Sequence, residues 1–132
     1  MRHRNSVSDR RAAVRARIGL GVWSAVIVAA TVPWTDFVGH THWQKVQWIP
    51  FRSPPIKLID VVVNVLLYLP FGYQLVRAFP SRARVGHAAS LAAAISLMME
   101  WSQLYSHSRF PSVQDVVCNI LGSAVGAIAA LF

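Results

Sequence analysis

Seven polar side chains in this sequence have types and spacings that could do chemistry. Asp60 and Asn64 stand four residues apart, as do Asp115 and Asn119, while Glu100 and Gln103 stand three apart. Each spacing brings a pair to one face of a helix. Arg109 lies between the last two pairs. Carboxyl groups, amides and a guanidinium brought together can bind a polar headgroup, with Arg109 gripping carboxylate or phosphate as a two-toothed fork. Such a set can also act on the headgroup, with Glu100 as general acid or base and Arg109 holding phosphate. A third use is structural: the polar groups fix helix register and catalyse nothing.

Taken singly, several of these residues have a structural explanation. Asn and Gln hydrogen-bond between membrane helices for under about 1 kcal/mol each. Asp60 and Asp115 fall where helix N-termini welcome a carboxylate. Glu100 is harder to explain, since a carboxylate inside an apolar helix costs ~2.5–3.5 kcal/mol on insertion scales, if Glu behaves as Asp does. It is the candidate acid or base, without a catalytic role being assigned.

The elements that must position these residues are apolar. The 132-residue chain is 55% hydrophobic and 14% charged, far from the balance of a soluble domain. Four apolar segments are expected to be transmembrane helices, at about 18–34, 58–79, 85–106 and 113–132. All but the first reach the roughly 20 residues that cross a ~30 Å hydrocarbon core. The expected fold is an all-α membrane protein: a basic tail over 1–17 and a four-helix domain over 18–132. A signal peptide is the competing reading of the first segment, because its basic start and apolar stretch fit one.

The net charge of +8 does not point to nucleic acid. Six of the thirteen Lys and Arg crowd into the first seventeen positions, and no basic face with interleaved aromatics follows. Nine of the thirteen lie in the tail or around the link between segments two and three. Only Lys45, Arg52, Lys57 and Arg109 lie on the other side. That bias predicts a plasma-membrane protein with both termini in the cytoplasm. The external link over 35–57 carries Phe37, Trp43, Trp48 and Phe51, then the turn-former Ser53-Pro54-Pro55. It should lie along the outer interface.

A near-repeat runs through the second and fourth segments: DVVVNVL at 60–66 and DVVCNIL at 115–121. Both segments should run inward from the outer face, which suggests a parallel two-helix repeat. At ~1.5 Å per residue, Asn64, Asn119 and Glu100 would all lie about 9 Å below that face. Gly122 and Gly126 share the Asp115–Asn119 face and predict a close helix neighbour. Pro70, with Gly72 after it, should kink the second segment.

Other chemistries lack a signature. Ser24, Ser96 and Ser102 have no nucleophile motif, and Cys118 reads as a small apolar filler. His40 and His42, without acidic or Cys partners nearby, are a weak metal signal, so no metal and no cofactor is expected. The expected partner is a membrane lipid or another amphiphile. The sequence carries no signal for oligomeric state.

The ordered set resembles the VanZ-like family. Asn64 with Leu66-Leu-Tyr-Leu-Pro-Phe-Gly72, Glu100-x-x-Gln103, and Arg109 through Asp115 and Asn119-Ile-Leu-Gly122 carry the resemblance. It covers about half the chain, from Asp60 to Gly126. It implies a small multi-span membrane protein whose founding relative lowers susceptibility to the lipoglycopeptide teicoplanin. The family's biochemical activity is not established, and membership alone assigns no resistance to this chain.

Overall fold

The computed structural model describes residues 2–52 and 58–132, with side chains from Ser8 onward. Four helices are described: α1 (Arg2–Thr31), α2 (Leu58–Ala78), α3 (Val85–Gln103) and α4 (Val113–Ala129), with a 3₁₀ turn at Trp43–Lys45. The expected turn at Ser53-Pro54-Pro55, together with Lys57, lies outside the described residues.

The basic tail is helical and continuous with the first apolar segment. Its Arg and Ala residues are good helix formers, and α1 runs through them without a break into the apolar stretch. The helix ends two residues before Pro33, whose ring disfavours helical geometry in the residue before it. α3 also ends earlier than expected, at Gln103 rather than Ser106, and α4 ends at Ala129. α2 continues through Pro70, so the missing N–H there does not terminate the helix.

Among the described residues, two helices are long and apolar enough to cross a membrane, Ser8–Thr31 and Leu58–Ala78; Val113–Ala129 is apolar but has 17 residues. Beyond the charged first half of α1, the outside of the bundle is largely apolar, with Val22, Leu66, Leu97 and Val125 among the exposed side chains. Small and polar residues fill much of the inside, including Ala88, Ala92, Ser96 and Ser123. That inverted pattern suits lipid as solvent, where packing of small residues rather than water exclusion drives helix association.

The helices alternate in direction. Trp23 Nε1 donates to the Leu67 carbonyl at 2.6 Å and Arg17 Nε to that of Ala78 at 3.3 Å, so α1 and α2 run antiparallel. The Arg17 guanidinium also covers the Phe79 ring, 5.1 Å from its centroid. α3 and α4 are antiparallel too, joined by Asn119 to Ser96 at 2.8 Å and Ser123 to the Ala88 carbonyl at 3.0 Å. α2 and α4 form the central pair. Gly122 abuts the Val65 carbonyl and Gly126 that of Leu69, a constant register that makes these helices parallel. Gly72 abuts the Ser123 carbonyl from the other side. A Cβ at any of the three would collide with backbone, so the two repeat copies are brought side by side by glycine.

The link after α1 folds back over the α3–α4 turn. Val38 N donates to Tyr105 O and His42 N to Leu104 O, both at 2.8 Å, and Gln47 N to Pro111 O at 2.8 Å. Isolated bridges pair Phe37 with Ser106 and Gln47 with Ser112. Trp43 stacks on Trp48 and meets Trp101 edge-on, with centroids 6.5 and 5.7 Å apart.

Candidate functional site

The starts of α2 and α4 and the ends of α1 and α3 meet at the link end of the bundle. Between them lies a cavity of about 430 Å³. Asp60, Asn64, Glu100, Gln103, Arg109, Asp115 and Asn119 all line it, and Thr31, Met99, Ser108 and Phe110 complete much of the wall. The glycine-mediated contact of α2 with α4 sets Asp60 and Asn64 beside Asp115 and Asn119. The Asp115 carboxyl lies within reach of both Asn64 and Asp60.

Glu100 does not sit where the sequence suggests. Its Oε2 accepts from the backbone N–H of Ser112 at 2.7 Å, and Ser112 is the N-cap of α4. The Glu100 carboxylate therefore reaches the top of α4, while its backbone lies about one turn above Ser96, the partner of Asn119. The expected depth counted from a helix end at Ser106. With the end at Gln103, Glu100 is only about 4.5 Å below it on the ~1.5 Å rise.

Glu100 thus has a structural duty as an acceptor at the start of a neighbouring helix. There the free N–H groups and the helix dipole both favour a carboxylate. The Ser112 hydroxyl caps the same helix, accepting from Gln114 N at 3.2 Å. Gln103, buried, donates to the Thr31 carbonyl at 3.3 Å and ties α3 to the last turn of α1.

Arg109 and Asn119 each bring an uncommitted group to the cavity. Among the described residues no Lys or Arg comes within 4.0 Å of a carboxylate, so the Arg109 guanidinium forms no ion pair with the three acids. Its backbone N–H is anchored to Ser106 Oγ at 3.1 Å while the side chain stands exposed at the cavity edge. The second is Asn119 Oδ1, buried without a hydrogen-bond partner. A buried acceptor left unpaired costs about 1–3 kcal/mol.

Outside the cavity, Asp36 holds the α3–α4 turn. Its carboxylate accepts from Ser106 Oγ and from Ser108 N, the latter at 2.7 Å. Those hydrogen bonds, from Ser106 first, hold its pKa below the usual carboxylate range. Sequence reasoning also missed His107, which the same turn brings to His40 and His42. A signal was available: both links are expected on the same side of the membrane.

A family model described as VanZ/LLP1 matches residues 18–132. No curated protein and no solved structure matches the chain.

Proposed function

This chain belongs to the VanZ/LLP1 family, and from that premise we propose that it is a four-span membrane protein whose cavity binds an amphiphile headgroup at the outer leaflet. The observation that carries this reading is the convergence of seven polar side chains on one cavity within a bundle whose exterior is largely apolar beyond the charged start of α1. α3 and α4, with 19 and 17 residues, extend about 28 and 26 Å at ~1.5 Å per residue. Those lengths suit a ~30 Å core. Arg77, Arg82 and Arg84 flank the far end of the bundle with the basic part of α1, so the positive-inside rule turns the cavity outward and both termini inward.

The lining favours a headgroup that carries hydrogen-bond donors and an anionic group. The carboxyl groups can accept from amines or hydroxyls, while Arg109 suits phosphate or carboxylate. Membrane phospholipids, lipid-linked cell-wall intermediates and lipoglycopeptides all have such headgroups. The family's link to teicoplanin makes susceptibility to that drug the phenotype to measure. The test is lipid analysis of protein extracted in mild detergent. One headgroup class should be enriched over the bulk membrane; a bound population that mirrors the bulk would contradict the reading.

One observation favours a purely structural role for Glu100. Its carboxylate is occupied by Ser112 N–H, which supports a helix-capping anchor rather than a free acid or base.

A further inference from the structure

We propose that His40, His42 and His107 form a binding site for one zinc-class transition-metal ion where the link after α1 meets the α3–α4 turn. The possible ligand atoms of the three imidazoles all lie within 4.8 Å of one another. His40 and His42 come from the link after α1, and His107 from the α3–α4 turn. The two backbone segments are already fastened together by the Val38–Tyr105 and His42–Leu104 hydrogen bonds. The meeting of the three rings is therefore built into the fold and is not a chance approach of long side chains.

The individual roles suit ligation. His42 is only 6% exposed, and its Nδ1 faces the Leu104 carbonyl at 3.3 Å. Donation from Nδ1–H fixes the ring and leaves Nε2 as the metal-binding atom, the arrangement by which outer partners orient metal-bound imidazoles. His40 and His107 are exposed.

Tetrahedral Zn²⁺, with Zn–N bonds of about 2.0–2.1 Å, holds its nitrogens about 3.3 Å apart. Small rotations of the two exposed rings close that difference. Asp36, which holds the His107 turn through Ser106 and Ser108, supplies a nearby negative charge. Lys45, a nearby cation, is engaged with the His107 carbonyl at 2.6 Å and lies over the Phe110 ring.

Three imidazoles select zinc, copper or nickel over magnesium or calcium, which require oxygen ligands. They leave a fourth position for water or an anionic group. The ion would fasten the link to the α3–α4 turn two residues from Arg109, a role that holds whatever the cavity binds. The competing account is packing alone, since the rings also meet edge-on, with His42 and His107 centroids 4.7 Å apart.

Calorimetric titration of tag-free protein in detergent with ZnCl₂ decides between them. The wild type should take up one equivalent with micromolar or tighter affinity and should not respond to MgCl₂. His40→Gln and His107→Gln should each weaken zinc binding at least about tenfold, in line with loss of one of three ligands. Both rings are exposed, so the variants should melt as the wild type does without metal. A wild type without stoichiometric zinc binding, or variants that bind as tightly as it does, would overturn the proposal.

Discussion

Gly126 of α4 lies against the backbone carbonyl of Leu69 on α2, so closely that no Cβ fits between them. This contact, repeated at Gly122 and Val65, holds two parallel helices together and aligns their Asp and Asn residues around one cavity. Gly126→Leu should therefore cost at least about 1–3 kcal/mol from overpacking. Thermal melting in detergent measures the loss. Gly86→Ala is the control, because nothing lies within 4 Å of where its Cβ would stand and alanine favours a helix. Equal melting of Gly126→Leu and wild type would remove the close approach.

Glu100 separates capping from chemistry. Glu100→Ala strips an acceptor from the start of α4 and should cost about 0.5–2 kcal/mol, the range for a lost N-cap. Glu100→Gln keeps an acceptor for Ser112 N and should melt near the wild type. If Glu100→Gln folds normally yet loses the drug or lipid phenotype, the carboxylate has a further role beyond the cap.

Asp36 should make the link sensitive to acid only at low pH. Its folded pKa is depressed, chiefly by the Ser106 and Ser108 hydrogen bonds. The stabilisation it gives is therefore complete above the unfolded value of about 3.9 and is lost as pH falls through the lower folded value. Hydrogen exchange at the Ser108 amide should stay protected from neutral pH down to about 4 and lose protection below that. In Asp36→Asn the protection should be weaker at neutral pH and should lack the acid step. An acid step that survives in this variant would assign it to another group.

Orientation is open to direct labelling. Cysteines at Gly39 and Ser108 should react with an impermeant thiol reagent in intact cells, and one at Ser81 should not. The native Cys118 is buried and should contribute little background. The opposite pattern would turn the cavity toward the cytoplasm.

The site was legible where it depended on helical spacing and hidden where it depended on tertiary contact. The four-residue spacing of Asp60/Asn64 and Asp115/Asn119, and the three-residue spacing of Glu100/Gln103, already implied shared faces. The small face of Gly122 and Gly126 already implied a neighbouring helix. The depth of Glu100 was misjudged because hydropathy continues past Gln103, whereas the helix does not. Residues 104–106 form hydrogen bonds and a bridge with the link at Phe37, Val38 and His42, and such long-range pairing leaves no local signal. The helical start of α1 was hidden for another reason. Arg and Ala favour a helix, but hydropathy registers only the polarity of the Arg side chains. His107 joins His40 and His42 only because the two links cross.

The central claim is that the cavity holds a headgroup, and Arg109 is its cleanest probe. Its side chain forms no ion pair among the described residues, so Arg109→Ala should fold and melt as the wild type does. Native mass spectrometry after release from detergent should find one amphiphile retained by the wild type. Retention should fall by about tenfold or more in Arg109→Ala, as expected for loss of a charge-assisted hydrogen bond worth about 1.5–3 kcal/mol. Absence of a retained amphiphile from the wild type, or equal retention by both proteins, would contradict the account.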